Sequence, residues 1–118
     1  MQYMLMCCFD ETRWAKMPEA HKGQIMQEYG ELVQGLVKSG HLRAGAQLQP
    51  TSTATTVRAK NGKVIATDGP FAETREQLGG YHVVECRDLD EAIAIAGRIP
   101  TLRAGGSIEV RPVTAFER

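Results

Sequence analysis

The chain has 118 residues, of which 42% are hydrophobic and 24% are charged, a length and composition typical of one globular domain with one hydrophobic core. Fourteen basic residues balance fourteen acidic ones, so the chain lacks the excess positive charge that nucleic acid or an anionic membrane surface selects. We therefore expect a single domain over residues 1–118, with neither nucleic acid nor a membrane as a partner.

The N-terminal segment predicts a strand that is buried on both faces. Every residue from Tyr3 to Phe9 is apolar or Cys, and the run is too short for a membrane span and lacks the basic leader of a signal peptide. Adjacent Cys7 and Cys8 point to opposite faces of such a strand, and Cys86 makes the cysteine count odd. This pattern fits free thiols in a reducing, cytoplasmic compartment.

The next segment predicts an amphipathic helix and a weaker strand. Trp14 lies in the loop before the helix, Pro18 suits its first turn, and Gly40 suits the position just after its end. Apolar residues recur between them at helical spacing, which predicts the first helix. Residues 41–48 are weakly patterned and Pro50 follows, so we expect an irregular or edge strand there.

Two β-branched runs, Thr55–Ala59 and Val64–Thr67, predict a hairpin, because Asn61-Gly62 between them supplies the two positive φ angles of a tight turn. Asp68-Gly69-Pro70 then ends the second strand, since Gly breaks regular structure and Pro fixes φ and removes a donor. Residues Glu73–Gln77 predict one helical turn in the loop that follows.

The C-terminal part predicts a central strand, a second helix and a closing strand. Tyr81–Cys86 is apolar on both faces, like the first strand. Asp88, three residues before Glu91, resembles a capping box that opens a helix ending at Pro100. Ser107–Val113 alternates apolar and polar residues and predicts the last strand.

The resulting order is β, α, β, a hairpin, a loop, β, α, β. This is the split βαβ plan of an α+β ferredoxin-like sandwich with an extra hairpin. Two helices cover only one face of such a sheet, yet its central strands are apolar on both faces. We therefore expect the second face to pack against another copy of the chain in a two-fold homodimer.

The stretch Asp68–Thr74 (DGPFAET), continued by Arg75–Tyr81 (REQLGGY), is similar to the signature of the YCII-related family, in the subgroup called DGPF-domain proteins. The resemblance implies a dimeric α+β barrel, in which two ferredoxin-like sheets face each other. Some genes of the subgroup lie beside those for alternative sigma factors, which implies a regulatory or stress setting. Four further segments also resemble the family: Gly40–Leu42, Leu48–Pro50, Asp90–Ala92 and Ile108–Pro112.

A related YCII-type enzyme eliminates chloride from a chlorinated hydroxyquinone with a His and an Asp. In that branch the His lies at the start of the first helix, where this chain has Ala20-His21. The Asp commonly precedes the proline after the second helix, where this chain has Ile99. The resemblance therefore implies His21 as an acid–base residue and supplies no matching Asp.

The candidate catalytic residues are His21 and Asp68. An imidazole that titrates near neutrality suits proton transfer, and the alternative for His21 is an exposed histidine at a helix start. Asp68 ends a strand beside a loop, where it could bind or deprotonate a substrate. Its alternative role is structural, as the acceptor of hydrogen bonds from the following backbone N–H groups in an Asx turn.

The candidate substrate-binding residues are Arg111, Glu73, Glu76, Phe71 and Tyr81. The planar fork of Arg111 would anchor an anionic substrate or, as the alternative, form an ion pair that fixes strand and loop. Glu73 and Glu76 share one face of the predicted turn, either as an acid and a base or as a solvated surface. Phe71 is expected to anchor its loop by burying its ring.

No two histidines have metal-ligand spacing, and no Cys-x-x-Cys pair or nucleotide-binding loop occurs, so we expect neither a metal nor a cofactor. His82 is expected to be a sheet residue with one hydrogen-bonded ring nitrogen. The sequence predicts a cleft for a small oxygenated molecule between sheet, DGPF loop and first helix, with elimination or isomerisation by proton transfer as its chemistry. The alternative is a non-catalytic ligand-binding or regulatory module linked to a sigma-factor or stress response.

Overall fold

A computed structural model describes residues 1–115 of the chain. The elements are β1 (Gln2–Phe9), α1 (Glu11–Lys16), α2 (Glu19–Lys38), β2 (Leu42–Gln47), β3 (Thr55–Lys60), β4 (Lys63–Asp68), β5 (Gln77–Glu85), α3 (Leu89–Ala96) and β6 (Ser107–Pro112), with 3-10 turns at Thr51–Thr53 and Pro100–Ala104. Four strands form one antiparallel sheet in the order β2-β5-β1-β6, and β3 and β4 form a separate two-stranded sheet. This is the ferredoxin-like α+β sandwich with an extra hairpin that the sequence predicts.

The core lies between the sheet and the helices α2 and α3. Alternate residues of β1 and β5 face it, and Leu5 and Val84 have no exposed surface. Full burial of one such side chain contributes roughly 1.5–3 kcal/mol to folding. The helices complete the core with Ile25, Leu32 and Leu36 from α2 and Ala92, Ile95 and Ala96 from α3.

The other side of this sheet, here called the open face, is formed by the alternate residues that point away from the core. Met4, Met6 and Cys8 of β1 lie on it beside Tyr81 and Val83 of β5, and all are partly buried. The prediction that β1 is apolar on both faces is therefore confirmed. The pairing of two such faces in a dimeric barrel stays a prediction.

Local signals set the bounds of α2 as predicted. The helix begins directly after Pro18 and ends in a Schellman arrangement, in which Gly40 has a φ of 80° and His41 N donates to Leu36 O at 3.0 Å. The short helix α1 before it was expected to be a loop. It forms because Asp10 caps it, accepting hydrogen bonds from the first backbone N–H groups.

The predicted hairpin is confirmed, with a φ of 52° at Asn61 and of 77° at Gly62. The DGPF segment after it folds back on the hairpin. Thr56 Oγ1 donates to Gly69 O at 2.6 Å, and Arg58 Nη2 donates to Phe71 O at 3.2 Å. The motif therefore ties the loop after β4 to β3.

The helical turn predicted at residues 73–77 is wrong. Thr74 Oγ1 donates to Glu76 O at 2.6 Å, and Gln77 Nε2 donates to Thr74 O. These side-chain bonds to the backbone compete with helix formation and hold an irregular turn instead. Gln77 is already the first residue of β5.

The second long helix ends earlier than predicted. Asp88 caps α3 by accepting a hydrogen bond from Glu91 N at 2.9 Å, but the helix stops at Ala96 rather than at Pro100. The proline disfavours helical backbone at Ile99, whose ψ is 120°, and Pro100 opens a separate 3-10 turn. None of the helices in residues 1–115 is both long and apolar enough to cross a lipid bilayer.

Candidate ligand-binding site

A cavity of about 480 Å³ lies between α2 and the core side of the strands β1, β2 and β5. Cavities of this size take small organic ligands. Its apolar wall comes from several elements, with one aromatic ring from β1 and another from α1. The apolar side chains include Phe9, Trp14, Met26, Val33 and Leu42.

Three polar side chains meet in the wall of this cavity. The Tyr29 hydroxyl is hydrogen-bonded to His82 Nε2 and lies 3.4 Å from Cys7 Sγ. Strand alternation turns Cys7 and His82 toward the core, and Tyr29 follows the buried Ile25 by four residues on the inner face of α2. Two strands and one helix thus place a thiol, a phenol and an imidazole in contact.

Burial keeps these three groups uncharged at neutral pH. It lowers the pKa of the His82 imidazole, because the protonated ring loses its hydration. It also raises the pKa of the Tyr29 hydroxyl, with a further increase from the neighbouring Cys7. The pKa of the Cys7 thiol is raised by burial, against a smaller lowering by the hydrogen bond to Tyr29.

Strand β2 closes over His82 because it carries a glycine there. A Cβ atom on Gly45 would lie only 2.6 Å from His82 Nδ1, closer than real Cβ contacts allow. The Nδ1 atom is buried and has no hydrogen-bond partner among residues 1–115. The expectation that His82 has one hydrogen-bonded nitrogen is thus confirmed.

The structure places both predicted catalytic residues away from the cavity. His21 is exposed in the first turn of α2, and Asp68 is exposed at the end of β4. Neither residue lines the cavity. The DGPF loop does not line it either. Their predicted roles stay predictions, and the cleft that was expected beside that loop lies instead between the sheet and α2.

The predicted substrate-binding residues are likewise spread over the outer surface. Arg111 lies on the open face, with its Nη1 atom 3.8 Å from Glu109 Oε2. This is an ion pair, as in the alternative role predicted for Arg111, but both residues belong to β6, so the pair does not connect the strand to a loop. Glu76 accepts a hydrogen bond from Ser107 Oγ at 2.9 Å, and Glu73 is exposed.

The two aromatic residues of that set also lie outside the cavity. Phe71 is 76% exposed, which contradicts the expected burial of its ring. Its backbone carbonyl, rather than its ring, attaches the loop to the hairpin. Tyr81 lies on the open face, opposite Met6 of β1.

Sequence reasoning missed Tyr29 and Cys7 as site residues. The signal that could have found them is the presence of polar groups at positions where strand or helix periodicity points inward. Such a group on each of three elements indicates a buried polar cluster. No cluster of three or more His, Cys, Asp or Glu side chains suited to a metal ion occurs in residues 1–115.

Comparison with known proteins adds three findings. A family model described as the YCII-related domain matches residues 1–117. An uncharacterized protein of Rhizobium meliloti (strain 1021) is 35% identical over 118 residues, which cover 99% of this chain and 95% of that protein. A 5-chloro-2-hydroxyhydroquinone dehydrochlorinase of Burkholderia phenoliruptrix AC1100, solved with 2,5-dihydroxybenzoquinone, has a TM-score of 0.53 at 13% identity, covering 98% of this chain and 96% of that one. The last likeness is one of fold.

Proposed function

This chain belongs to the YCII-related family, and on that premise we propose that it binds a small, largely apolar, oxygenated molecule in the cavity beneath α2 and transfers a proton on it. The observation that carries the proposal is the hydrogen bond between Tyr29 and His82 in the cavity wall. When a neutral phenol is hydrogen-bonded to a neutral imidazole, the phenol oxygen can accept a proton while the phenol's own proton moves to the imidazole nitrogen.

The walls of the cavity favour a flat, apolar ligand frame. Phe9 and Trp14 lie with their ring centroids 5.8 Å apart, and Met26 and Val33 add apolar surface. Aromatic side chains attract other rings in stacked or edge-to-face geometry. An oxygen on the ligand would find its hydrogen-bond partner at the Tyr29 hydroxyl.

The proton transfer uses this geometry directly. A ligand hydroxyl gives its proton to the Tyr29 oxygen while the Tyr29 proton moves to His82 Nε2, which leaves an imidazolium and a ligand oxyanion. The lowered pKa of His82 keeps the ring unprotonated and available as a base at neutral pH. In an elimination, the electron pair of the oxyanion forms a carbonyl and expels an anionic leaving group through a conjugated frame, and the imidazolium gives its proton to solvent. In an isomerisation, the same electron pair shifts a double bond, and the imidazolium returns its proton through Tyr29 to a carbon atom of the ligand.

The experiment compares three variants for turnover of hydroxylated quinones and hydroquinones, the compound class in the name of the solved dehydrochlorinase. We expect Y29F and H82Q each to lower kcat by about 100-fold or more, the usual contribution of a general acid or base. H21Q tests the histidine at the helix start, and we expect it to leave kcat unchanged.

Two results would decide against this assignment. Loss of turnover in H21Q with full turnover in H82Q would move the chemistry to the start of α2. Ligand binding without turnover would instead assign the cavity to a ligand-binding or regulatory protein. Circular dichroism of each variant checks that the fold is kept.

We also propose that two copies of the chain pair through their open faces. Met4, Met6 and Val83 present partly exposed apolar surface there, and a two-fold dimer would remove it from water. Because the chain has 14 basic and 14 acidic residues, electrostatic repulsion between two copies is small.

A further inference from the structure

The short helix α1 brings Trp14 into the cavity wall, although the helix buries none of its own six residues. Trp14 is itself only partly buried, and its ring centroid lies 5.8 Å from that of Phe9, which also lines the cavity. A helix of six residues is not stable by itself in water. Contacts with other parts of the chain must therefore fix α1 and, with it, the ring of Trp14.

Glu11, the first residue of α1, makes three hydrogen bonds outside the helix. Its carboxylate accepts from the Thr51 backbone N–H at 2.9 Å and from Thr51 Oγ1 at 2.8 Å. Its own backbone N–H has no partner within the helix and donates instead to Gln77 Oε1 at 2.9 Å. Glu11 therefore attaches α1 both to the turn before β3 and to the start of β5.

The link to β5 depends on the stretch of residues 68–81 that resembles the family signature. Gln77 Nε2 donates to the backbone oxygen of Thr74, which holds the amide by its nitrogen and leaves its oxygen for Glu11. Gly79 adds a second contact, because a Cβ atom there would overlap with the ring of Phe9. The stretch thus supports the helix that carries Trp14 and also the ring beside it.

We propose that Glu11 and Gln77 are positioning residues of the ligand site, through which the stretch of residues 68–81 holds Trp14 in the cavity wall. This inference rests on the proposed function, because it concerns the wall of the same cavity. Glu11 and Gln77 do not line the cavity themselves, so their effect on a ligand passes through Trp14.

Calorimetric titration of the intact protein with phenol, a small oxygenated ring, tests this role. We expect E11A and Q77A each to weaken phenol binding about three- to tenfold, because the complete wall then exists in a smaller fraction of the molecules. E31A and Q34A are the matched controls, since Glu31 and Gln34 are exposed on α2, and both should bind phenol like the wild type. Binding of phenol by E11A and Q77A with wild-type affinity would overturn the inference.

A double-mutant cycle with W14L separates positioning from a general effect on the fold. If Glu11 acts through Trp14, E11A weakens phenol binding in the wild-type background and has no further effect in the W14L background. Equal losses in the two backgrounds would show that Glu11 acts on the whole fold rather than on Trp14, and would overturn the inference.

Amide hydrogen exchange at Trp14, whose N–H donates to Asp10 O at 3.0 Å, gives a readout that needs no ligand. We expect this amide to exchange about fivefold faster or more in E11A and Q77A, the equivalent of one lost hydrogen bond, and at the wild-type rate in both controls. An unchanged rate in E11A and Q77A would overturn the inference. Faster exchange in both variants, with no phenol binding by the wild type, would count against the proposed function and leave the positioning of Trp14 in place.

Discussion

At the scale of single residues, burial has changed what the side chains around the cavity can do. His82 has a lowered pKa, while the pKa values of Tyr29 and Cys7 are raised. All three changes favour the neutral form, and burial is the largest cause of each. At neutral pH, burial therefore favours the uncharged form of each of the three groups.

The first prediction is that stability falls in mild acid. The unfolded chain binds a proton at His82 with an ordinary pKa of about 6.5, whereas the folded chain resists protonation. The unfolded state thus takes up more protons below that pH, and the free energy of unfolding is lost as pH falls, by up to ~1.4 kcal/mol per pH unit.

Urea unfolding of the wild type and of H82Q, from neutral pH to below the ordinary pKa of histidine, checks this expectation. The slope should be smaller in H82Q, which has no titrating ring at this position. H21Q, at an exposed histidine in the first turn of α2, serves as the control for the substitution itself. An unchanged slope in H82Q would show that other groups govern the acid sensitivity.

At the scale of elements, one glycine decides how closely β2 approaches the central strand. Gly45 lies against the imidazole of His82, where a Cβ atom would be 2.6 Å from Nδ1. The ring is held on its other side by the Tyr29 hydroxyl. A side chain at this position must displace either the strand or the ring.

We predict that G45A destabilises the protein by about 1–3 kcal/mol, the usual cost of an overpacked core. It should also weaken ligand binding, because the displaced ring loses its bond to Tyr29. G30A is the matched control: a Cβ atom at Gly30, inside α2, meets nothing within 4 Å. This second change should stabilise the helix by roughly 0.5–1 kcal/mol.

Denaturant unfolding of both variants measures these two opposite effects. If G45A is as stable as the wild type, the edge strand β2 moves freely and does not hold the ring of His82 in place.

The elements that could be predicted are those whose sequence signal lies within one continuous stretch of the chain. β1 has an uninterrupted apolar run, α2 has helical spacing between Pro18 and Gly40, and the hairpin has its Asn61-Gly62 turn. The helix α1 was missed because six residues carry no periodic pattern and its signal is the single cap at Asp10. The end of α3 was misplaced because the effect of a proline reaches back into the preceding turn.

The cavity could not be predicted, since no continuous stretch contains it. Its polar cluster joins Cys7, Tyr29 and His82, which lie far apart in the chain and meet only through packing. Exposed polar residues near conspicuous motifs, such as Asp68, led to a predicted cleft beside the DGPF loop instead. Polar residues at inward-facing positions are the better guide in this fold.

At the scale of the whole molecule, the main feature is the open face of the sheet. Two helices protect one side of the sheet, and Met4 and Met6 on the other side are only partly buried. Arg111 and Glu109 of β6 lie at the edge of this surface. Such an apolar patch with a charged rim is typical of an interface.

We predict that the wild type sediments as a dimer at micromolar concentration and that M6D sediments as a monomer. The new carboxylate would be buried without a partner in the dimer, which is strongly unfavourable. I93D is the control, because Ile93 is equally apolar and 51% exposed on α3. It should leave the dimer intact. A wild type that is monomeric in dilute solution would refute the pairing of open faces.

The position of Trp14 has a practical consequence. It is the sole tryptophan of the chain, and its indole ring lies in the cavity wall beside Phe9. Tryptophan fluorescence therefore comes from one known place, and a ligand that displaces water from the ring should shift or quench this emission. Trp14 thus serves as an intrinsic fluorescence probe, so that unlabelled compounds can be screened for binding in solution.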